Sequence, residues 1–302
     1  MLIDILLATY RSQDFLREQI DSILKQSVSE FRIIAGDGGS DDGTTALLEK
    51  YAAANPEHFL LLPSGRYPTT ENFARLLAAS DADFILFSDH DDVWAPDKIA
   101  ILLECFQQNF PDSAHMPGLV FSDAKIADRE LNIISESSQK FQHFDPARIA
   151  LHQLLTQNII PGNTMLFNRA LREAALPIPS EARMHDCWVA LCAASVGSIA
   201  YSPCPTILYR QHRKNLLGAT SSSLFGMFSK LHDGHRQFLR NVHQGQALLK
   251  HLDGKLPTEK RKILAAYASM EEQSFLGRRI TALRYGFVKN TLIRNFLLFL
   301  TM

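Results

Sequence analysis

The chain has 302 residues, 46% of them hydrophobic, with Lys+Arg 31 against Asp+Glu 32. That length holds one large domain or a domain and a half with a sizeable core, and the near-zero net charge argues against a nucleic-acid protein. Cys105, Cys187, Cys192 and Cys204 show no Cys-x-x-Cys spacing, so a reduced, intracellular setting is expected. The first ten residues are interrupted by Asp4 and lack a basic lead-in, which reads as a strand and not a signal peptide. No apolar run approaches the roughly 20 residues that span a bilayer, so the protein is expected to be soluble or to sit on a membrane surface.

In chain order, residues 2 to 8 predict a short buried strand ending at Thr9-Tyr10-Arg11. Ser12 or Asp14 can cap a helix in which Leu16, Ile20, Ile23 and Leu24 share one face. A second strand, 31 to 35, runs into the loop Gly36-Asp37-Gly38-Gly39-Ser40-Asp41-Asp42-Gly43-Thr44, with Asp42 as a cap for the helix of Leu47, Leu48 and Tyr51. This loop fits neither the dinucleotide nor the P-loop glycine pattern. A carboxylate at the strand end suits a base N–H or a ribose hydroxyl, and small residues let a flat base approach the backbone. A third strand, 59 to 62, leads to a helix over 70 to 80. Alternation at this spacing predicts an α/β fold with a parallel sheet and helices on its faces.

The fourth strand, Phe84 to Phe87, ends in Ser88-Asp89-His90-Asp91-Asp92-Val93-Trp94. Three carboxylates within four positions repel one another by a few kcal/mol at an effective dielectric of about 20 unless a cation or donors sit among them. A divalent ion such as Mg²⁺ or Mn²⁺ suits such a group and keeps positions free for substrate phosphates. The plainer reading is a solvated acidic turn before a helix starting near Pro96.

These stretches, with Ala8-Thr9-Tyr10, resemble the family-2 glycosyltransferases of GT-A fold, and within them the rhamnosyltransferase-like branch that builds bacterial surface polysaccharides. Pro161-Gly162-Asn163-Thr164-Met165, Met184-His185-Asp186-Cys187-Trp188 and Tyr209-Arg210-Gln211-His212, with Asn215 and Gly218, extend the resemblance in order over residues 3 to 218. One departure is Gly38, where the family usually carries the second of two adjacent aspartates.

The resemblance implies that Thr9, Tyr10, Arg11 and Asp37 hold the nucleotide, Asp89 the ribose or the metal shell, and Asp91 and His212 a divalent cation on the diphosphate. Arg210 is implied as a second diphosphate clamp; its alternative is a salt bridge to an acidic residue. Asp186 is implied as the base, because an inverting displacement needs a carboxylate opposite the leaving group. It equally suits a helix N-terminus, and the two roles are compatible. Trp188 is either core or sugar platform. Asn163 and Thr164 bind acceptor hydroxyls or cap a turn.

Residues 119 to 134 predict two strands joined by a turn at 128 to 130, residues 145 to 158 a helix, 165 to 167 a strand and 206 to 210 another. Ser221-Ser222-Ser223 reads as a linker between a catalytic domain, 1–220 (donor half 1–118, acceptor half 119–220), and a helical region, 221–302. In that region Leu276, Ile280, Leu283 and Phe287 recur at helical spacing beside Arg278, Arg279, Arg284, Lys289 and Arg294. The pattern fits a helix resting on anionic lipid, a subunit contact, or a docked helix with a solvated basic face. The expectation is an inverting, metal-dependent glycosyltransferase, cytoplasmic or peripheral on the inner membrane face, moving L-rhamnose from dTDP-rhamnose to a saccharide, free or lipid-linked. The alternatives are an aspartate-nucleophile phosphotransferase and a non-catalytic carbohydrate-binding scaffold.

Overall fold

The computed structural model describes residues 1–111, 116–212 and 225–302, with side chains of the last segment described from residue 234. Asn215, Gly218 and the 221–223 serines lie outside the described residues. In chain order the elements are β1 (Ile3–Thr9), α1 (Leu16–Leu24), β2 (Arg32–Asp37), α2 (Thr44–Ala54), β3 (Phe59–Leu61), α3 (Thr69–Ala79), β4 (Phe84–Ser88), β5 (Val93–Trp94) and α4 (Lys98–Asn109). Then follow β6 (Gly118–Ala127), β7 (Ile133–Ser135), α5 (Ser138–Phe141), α6 (Leu151–Leu154), β8 (Met165–Asn168), α7 (Arg169–Ala175), α8 (His185–Val196) and β9 (Ser198–Arg210). Four helices close the chain: α9 (Phe225–His251), α10 (Thr258–Ala268), α11 (Phe275–Tyr285) and α12 (Leu292–Thr301).

β1 is buried along its whole length. Its side chains alternate between faces. Ile3, Ile5 and Leu7 enter a core with Leu16, Ile20 and Ile23 of α1 and Leu102 and Phe106 of α4. Leu6 and Ala8 enter the opposite core with Phe73, Leu76 and Leu77 of α3. A strand covered on both faces must be almost continuously apolar, which is why the run is so legible in the sequence.

The sheet order is β3-β2-β1-β4-β8-β6-β9-β5, with β7 beside β6. The first four strands are mutually parallel, as their helical crossovers require. β8 then enters antiparallel to both β4 and β6, pairing Leu86 with Leu166 and Phe84 with Asn168. The sheet is therefore mixed, and the turn that precedes β8 lands beside the carboxyl end of β4.

Several local expectations are corrected. Neither Ser12 nor Asp14 caps α1: Phe15 holds the cap position, the Ser12 hydroxyl accepts from the Tyr10 amide, and Asp14 pairs with Arg129. Gly43, in the left-handed region at φ 90°, precedes α2, although Asp42 still accepts from the Thr44 amide and hydroxyl. The helix expected over 145 to 158 shrinks to α6. Its flanks are recruited elsewhere: Arg148 and Thr156 donate to the Val288 carbonyl, and Gln157 accepts from the Asn290 amide. Tertiary hydrogen bonds here outweigh a weak propensity.

The C-terminal helices pack on the α3 face. Phe238, Val242 and Leu248 of α9, Leu264 and Tyr267 of α10 and Leu298 of α12 share one core with Leu154, Leu155, Trp188 and Leu191. On α11 and α12 the expected lipid-facing pattern is altered. Leu276, Ile280 and Leu283 are exposed, but Phe287 is buried. Three of the basic residues turn their guanidinium groups onto backbone carbonyls: Arg278 to Glu271 and Gln273, Arg279 to Phe275, Phe299 and Met302, and Arg294 to Gln142. Lys289 is partly buried, which lowers its pKa to about 8, and Arg284 stays exposed. No helix among the described residues is long and apolar enough to cross a membrane.

Asp4 interrupts β1 because it is fully paired. It accepts from Arg32 Nε at 2.9 Å and Nη2 at 2.8 Å and from Ser80 Oγ at 2.6 Å. Removing one partner strands a buried carboxylate, so Arg32→Ala is expected to cost about 3 kcal/mol, read as a lower urea midpoint at unchanged slope.

Candidate active site

The carboxyl ends of β2, β1 and β4 are neighbours in the parallel part of the sheet, where α/β folds offer functional groups. Thr9 faces Asp37 across the first pair. Asp37 is buried, and its carboxylate accepts from Thr9 Oγ1, Gly39 N, Ser40 N, Ser40 Oγ, Thr45 Oγ1 and Ser64 Oγ, at 2.6 to 3.1 Å. Burial alone raises its pKa, but donors from Ser40, Thr9 and Ser64 outweigh burial and hold it below the usual value. The Arg11 amide donates to Ser40 Oγ at 2.8 Å and its guanidinium pairs with Asp41, while Tyr10 is half exposed. These bonds stitch the end of β1 to the glycine-rich loop. Beside Asp37 opens a cavity of about 210 Å³ lined in part by Thr45, Glu49, Pro63 and Ser64.

Gly38 is where the resemblance leads one to expect a second aspartate. Its amide donates to the Thr9 carbonyl at 2.8 Å, and a Cβ there would lie 3.0 Å from the Tyr67 carbonyl oxygen. The segment after β3 thus lies directly on the loop, in contact that a side chain would disturb.

The acidic loop after β4 divides its carboxylates. Asp91 is buried and accepts from His212 Nε2 at 2.8 Å, and the imidazole stacks on Phe15 at 4.6 Å. Asp92 points inward, accepting from Asn163 Nδ2 at 2.6 Å and from the Arg210 amide at 3.2 Å. Burial, then Asp91 and Asp89, push its pKa well up. Asp89 is partly exposed, and among the described residues no hydrogen bond ends on its carboxylate. Burial, then the charges of Asp91 and Asp186, push it up to about 7, with Lys98 pulling the other way. Asp92 therefore does not cap α4, which begins at Lys98 with Asp97 before it.

Arg210, expected to face a diphosphate, is buried and turned inward. Its Nε donates to the Asp91 carbonyl at 2.9 Å, and its guanidinium pairs with Glu18 and donates to the Arg129 carbonyl. The fork braces the acidic loop from behind.

Asp186 stands in the first turn of α8. Its Oδ1 accepts from Cys187 N at 2.6 Å and its Oδ2 from Gly162 N at 3.2 Å. It is partly exposed but enclosed on most sides, and that burial, against the two amide donors, pushes its pKa up to about 6. His185 beside it is buried, stacks on Phe73 at 3.7 Å, and has a pKa lowered to about 3 by burial, so the ring is neutral.

The three expected acceptor contacts are corrected. Trp188 is 0% exposed and its indole N–H donates to the Ala175 carbonyl, so it is core. Thr164 is buried and donates to the Pro161 carbonyl, closing a turn. Asn163 is buried against Asp92. Sequence reasoning also passed over Glu18 and Lys98. Lys98 had a signal: it stands four and eight residues before Leu102 and Phe106, on the stripe that α4 buries.

Among the described residues no three His, Cys, Asp or Glu side chains form a ready-made metal cluster. Asp91 and His212 nevertheless converge, with the unpaired Asp89 carboxylate on the same loop. That fits an ion which takes one or two protein ligands and completes its shell with substrate phosphates and water.

Known proteins resemble this chain in sequence and in fold. The profile of the group described as Glycosyl transferase family 2 matches residues 4–174. The chain belongs to glycosyl transferase family 2. Within curated relatives of this family, it is 28% identical over 225 residues to the dTDP-rhamnosyl transferase RfbG of Shigella flexneri, covering 72% of this chain and 75% of that one. An uncharacterized glycosyltransferase of Nostoc is 24% identical over 218 residues, covering 71% of this chain and 66% of that one. Among solved structures, the mannosyltransferase PcManGT of Pyrobaculum calidifontis, in complex with GDP-Man and Mn²⁺, superposes with a TM-score of 0.60 at 17% identity. It covers 93% of this chain and 73% of that one. S. aureus TarS 1-349 with UDP-GlcNAc gives 0.59 at 14% identity over 94% of this chain and 80% of that one. The fold of this family-2 transferase is GT-A, a mixed sheet with helices on both sides.

Because Asp186 has a folded-state pKa near 6, above its unfolded value near 4, its stabilising contribution is complete below about pH 4 and lost as pH rises through 6. Asp186→Asn is therefore expected to raise stability by about 1–2 kcal/mol at pH 8 and to change it little at pH 4. Paired thermal melts at the two pH values check this.

Proposed function

We propose that this family-2 glycosyltransferase is inverting and metal-dependent, and transfers a sugar from a nucleotide diphosphate to a hydroxyl of a growing or lipid-linked saccharide. The donor we favour is dTDP-L-rhamnose, on the likeness to RfbG. The observation that carries the reading is the Asp89 carboxylate, unpaired among the described residues, in the field of both Asp91 and Asp186. One loop thereby faces a cation-binding pair on one side and a fixed, partly exposed carboxylate on the other. The phosphotransferase and scaffold alternatives leave both that arrangement and the family match unexplained.

Thr9, Tyr10, Arg11 and Asp37 are assigned to the nucleotide, with the cavity beside Asp37 as support. A divalent cation, Mg²⁺ or Mn²⁺, held by Asp91 and His212 beside Asp89 would neutralise the charge that develops on the leaving diphosphate. Arg210 then serves the diphosphate indirectly, by holding the Asp91 backbone. Asp186 takes the proton of the acceptor hydroxyl while that oxygen bonds to the anomeric carbon. The bond to the diphosphate oxygen breaks on the opposite face, so configuration inverts. Two backbone amides fix the Asp186 carboxylate, leaving its remaining lone pairs to the acceptor. Its raised pKa makes it a stronger base near neutrality.

Membrane contact is assigned to α11 and α12. Phe275, Leu276, Ile280, Leu283, Leu292, Ile293, Phe296 and Leu300 are each about half or more exposed, in stripes on two helices joined by Arg279. With most nearby cations turned inward, association rests on apolar insertion more than on anionic headgroups. The double variant Leu276→Glu/Phe296→Glu is expected to lose at least about tenfold in vesicle affinity. Wild-type pelleting with neutral and anionic vesicles should differ little; no pelleting with either would remove the assignment.

The donor site is tested by calorimetric titration with dTDP and UDP, with and without Mn²⁺. Metal-dependent binding of one nucleotide, abolished in Asp91→Ala, is expected; binding of neither overturns the reading. Transfer rate should rise with pH through about 6 and level off above it, as Asp186 ionises.

A further inference from the structure

Lys98 opens α4 on the face that the helix buries, and it is 0% exposed. A buried ammonium has a desolvation penalty of several kcal/mol unless its surroundings are arranged to hold it. Here Nζ donates to the Asn163 carbonyl and lies 4.4 Å over the Trp94 ring; burial lowers its pKa to about 7, against the opposing charges of Asp92 and Asp89.

Asn163 is doubly engaged. While its carbonyl receives Lys98, its side-chain amide donates to Asp92 Oδ2 at 2.6 Å. Its neighbour Gly162 donates its amide to Asp186 Oδ2 at 3.2 Å. One short turn, Gly162–Thr164, thus touches an inner carboxylate of the acidic loop and the carboxylate on α8. The approach is close: a Cβ at Gly162 would lie 3.1 Å from Asp186 Cβ and 3.2 Å from His185 Nε2.

We propose that Lys98 is a positioning residue: with Asn163 it forms a strut that sets the separation of the acidic loop from Asp186. The proposal rests on the transferase reading. It follows from what that reaction needs, because a base must reach the acceptor oxygen at hydrogen-bond distance while the donor is held from the other side. Asp91 and Asp89 stay available to ligand because the inner member of the acidic loop has its own partners. Lys98 itself touches neither donor nor acceptor.

The test is a double-mutant cycle with Lys98→Met, Asn163→Ala and the double variant, reading ligand-free thermal unfolding, kcat, acceptor KM and Mn²⁺-nucleotide affinity. Each single change cuts the strut, and kcat is expected to fall at least about tenfold with acceptor KM within about threefold and nucleotide affinity unchanged. The double variant is expected to lose no more than the worse single, because both changes cut one strut. Additive losses in the double variant, or wild-type kcat in Lys98→Met, overturn the proposal. If Lys98→Met fails to fold, Asn163→Ala is read by itself, and unchanged kcat in it rejects the idea. Should wild type bind no nucleotide and transfer no sugar, the transferase reading fails by itself, and the unfolding cycle still judges the strut: additive shifts reject it.

Discussion

Three carboxylates on one tight loop repel one another, and much of this molecule answers that repulsion. Asp92 is turned into the protein against Asn163 and the Arg210 backbone, Asp91 is given His212, and among the described residues Asp89 has no partner for its carboxylate. The loop itself is braced by Arg210, whose guanidinium spans from the Asp91 carbonyl to Glu18 on α1. These props come from three parts of the chain, α1, the turn before β8 and the end of β9, so the loop's conformation depends on the sheet being assembled. What remains is the Asp89 carboxylate, partly exposed, whose pKa burial and the charges of Asp91 and Asp186 push up, a repulsion that an incoming cation would relieve.

The antiparallel entry of β8 does the corresponding work for Asp186. A further parallel strand would arrive from the opposite edge of the sheet and carry its preceding loop away from β4. Running backwards, β8 delivers the Gly162–Thr164 turn to the end of β4, and α8 then begins with Asp186 against that turn. One turn thus ties the acidic loop, through the Asn163 side chain, to Asp186, through the Gly162 amide.

The parallel half of the fold was legible because strands buried on both faces leave uninterrupted apolar runs, and their carboxyl ends mark where polar groups emerge. Asp37, Asp89 and Asp91 could be singled out for that reason, and Asp186 through the ordered motifs. Residues with both a ligand-facing and a core-facing reading were harder. Trp188, Thr164 and Asn163 lie in the motifs yet point away from the cleft, because what a motif records is the path of the backbone, and the turn or helix start then decides which way each side chain goes. Lys98 was missed for the opposite reason: a cation on an apolar stripe reads as a solvated helix end until Asn163 and Trp94 are seen around it. The short α6 shows the third limit, since the hydrogen bonds that divert residues 145 to 158 come from Val288 and Asn290, far along the chain.

The C-terminal helices share a single interior with the sheet: Tyr267 reaches the Leu155 carbonyl, and Val242 and Leu248 lie in the same cluster as Trp188 and Leu191. Deleting them would open the wall behind α8, at whose first turn Asp186 sits. A shortened chain would therefore be an unfolding experiment, and loss of transfer in it would carry no information about where the enzyme resides. Localisation and catalysis can be separated here only by changes confined to the outer stripes of α11 and α12, which leave that shared interior closed.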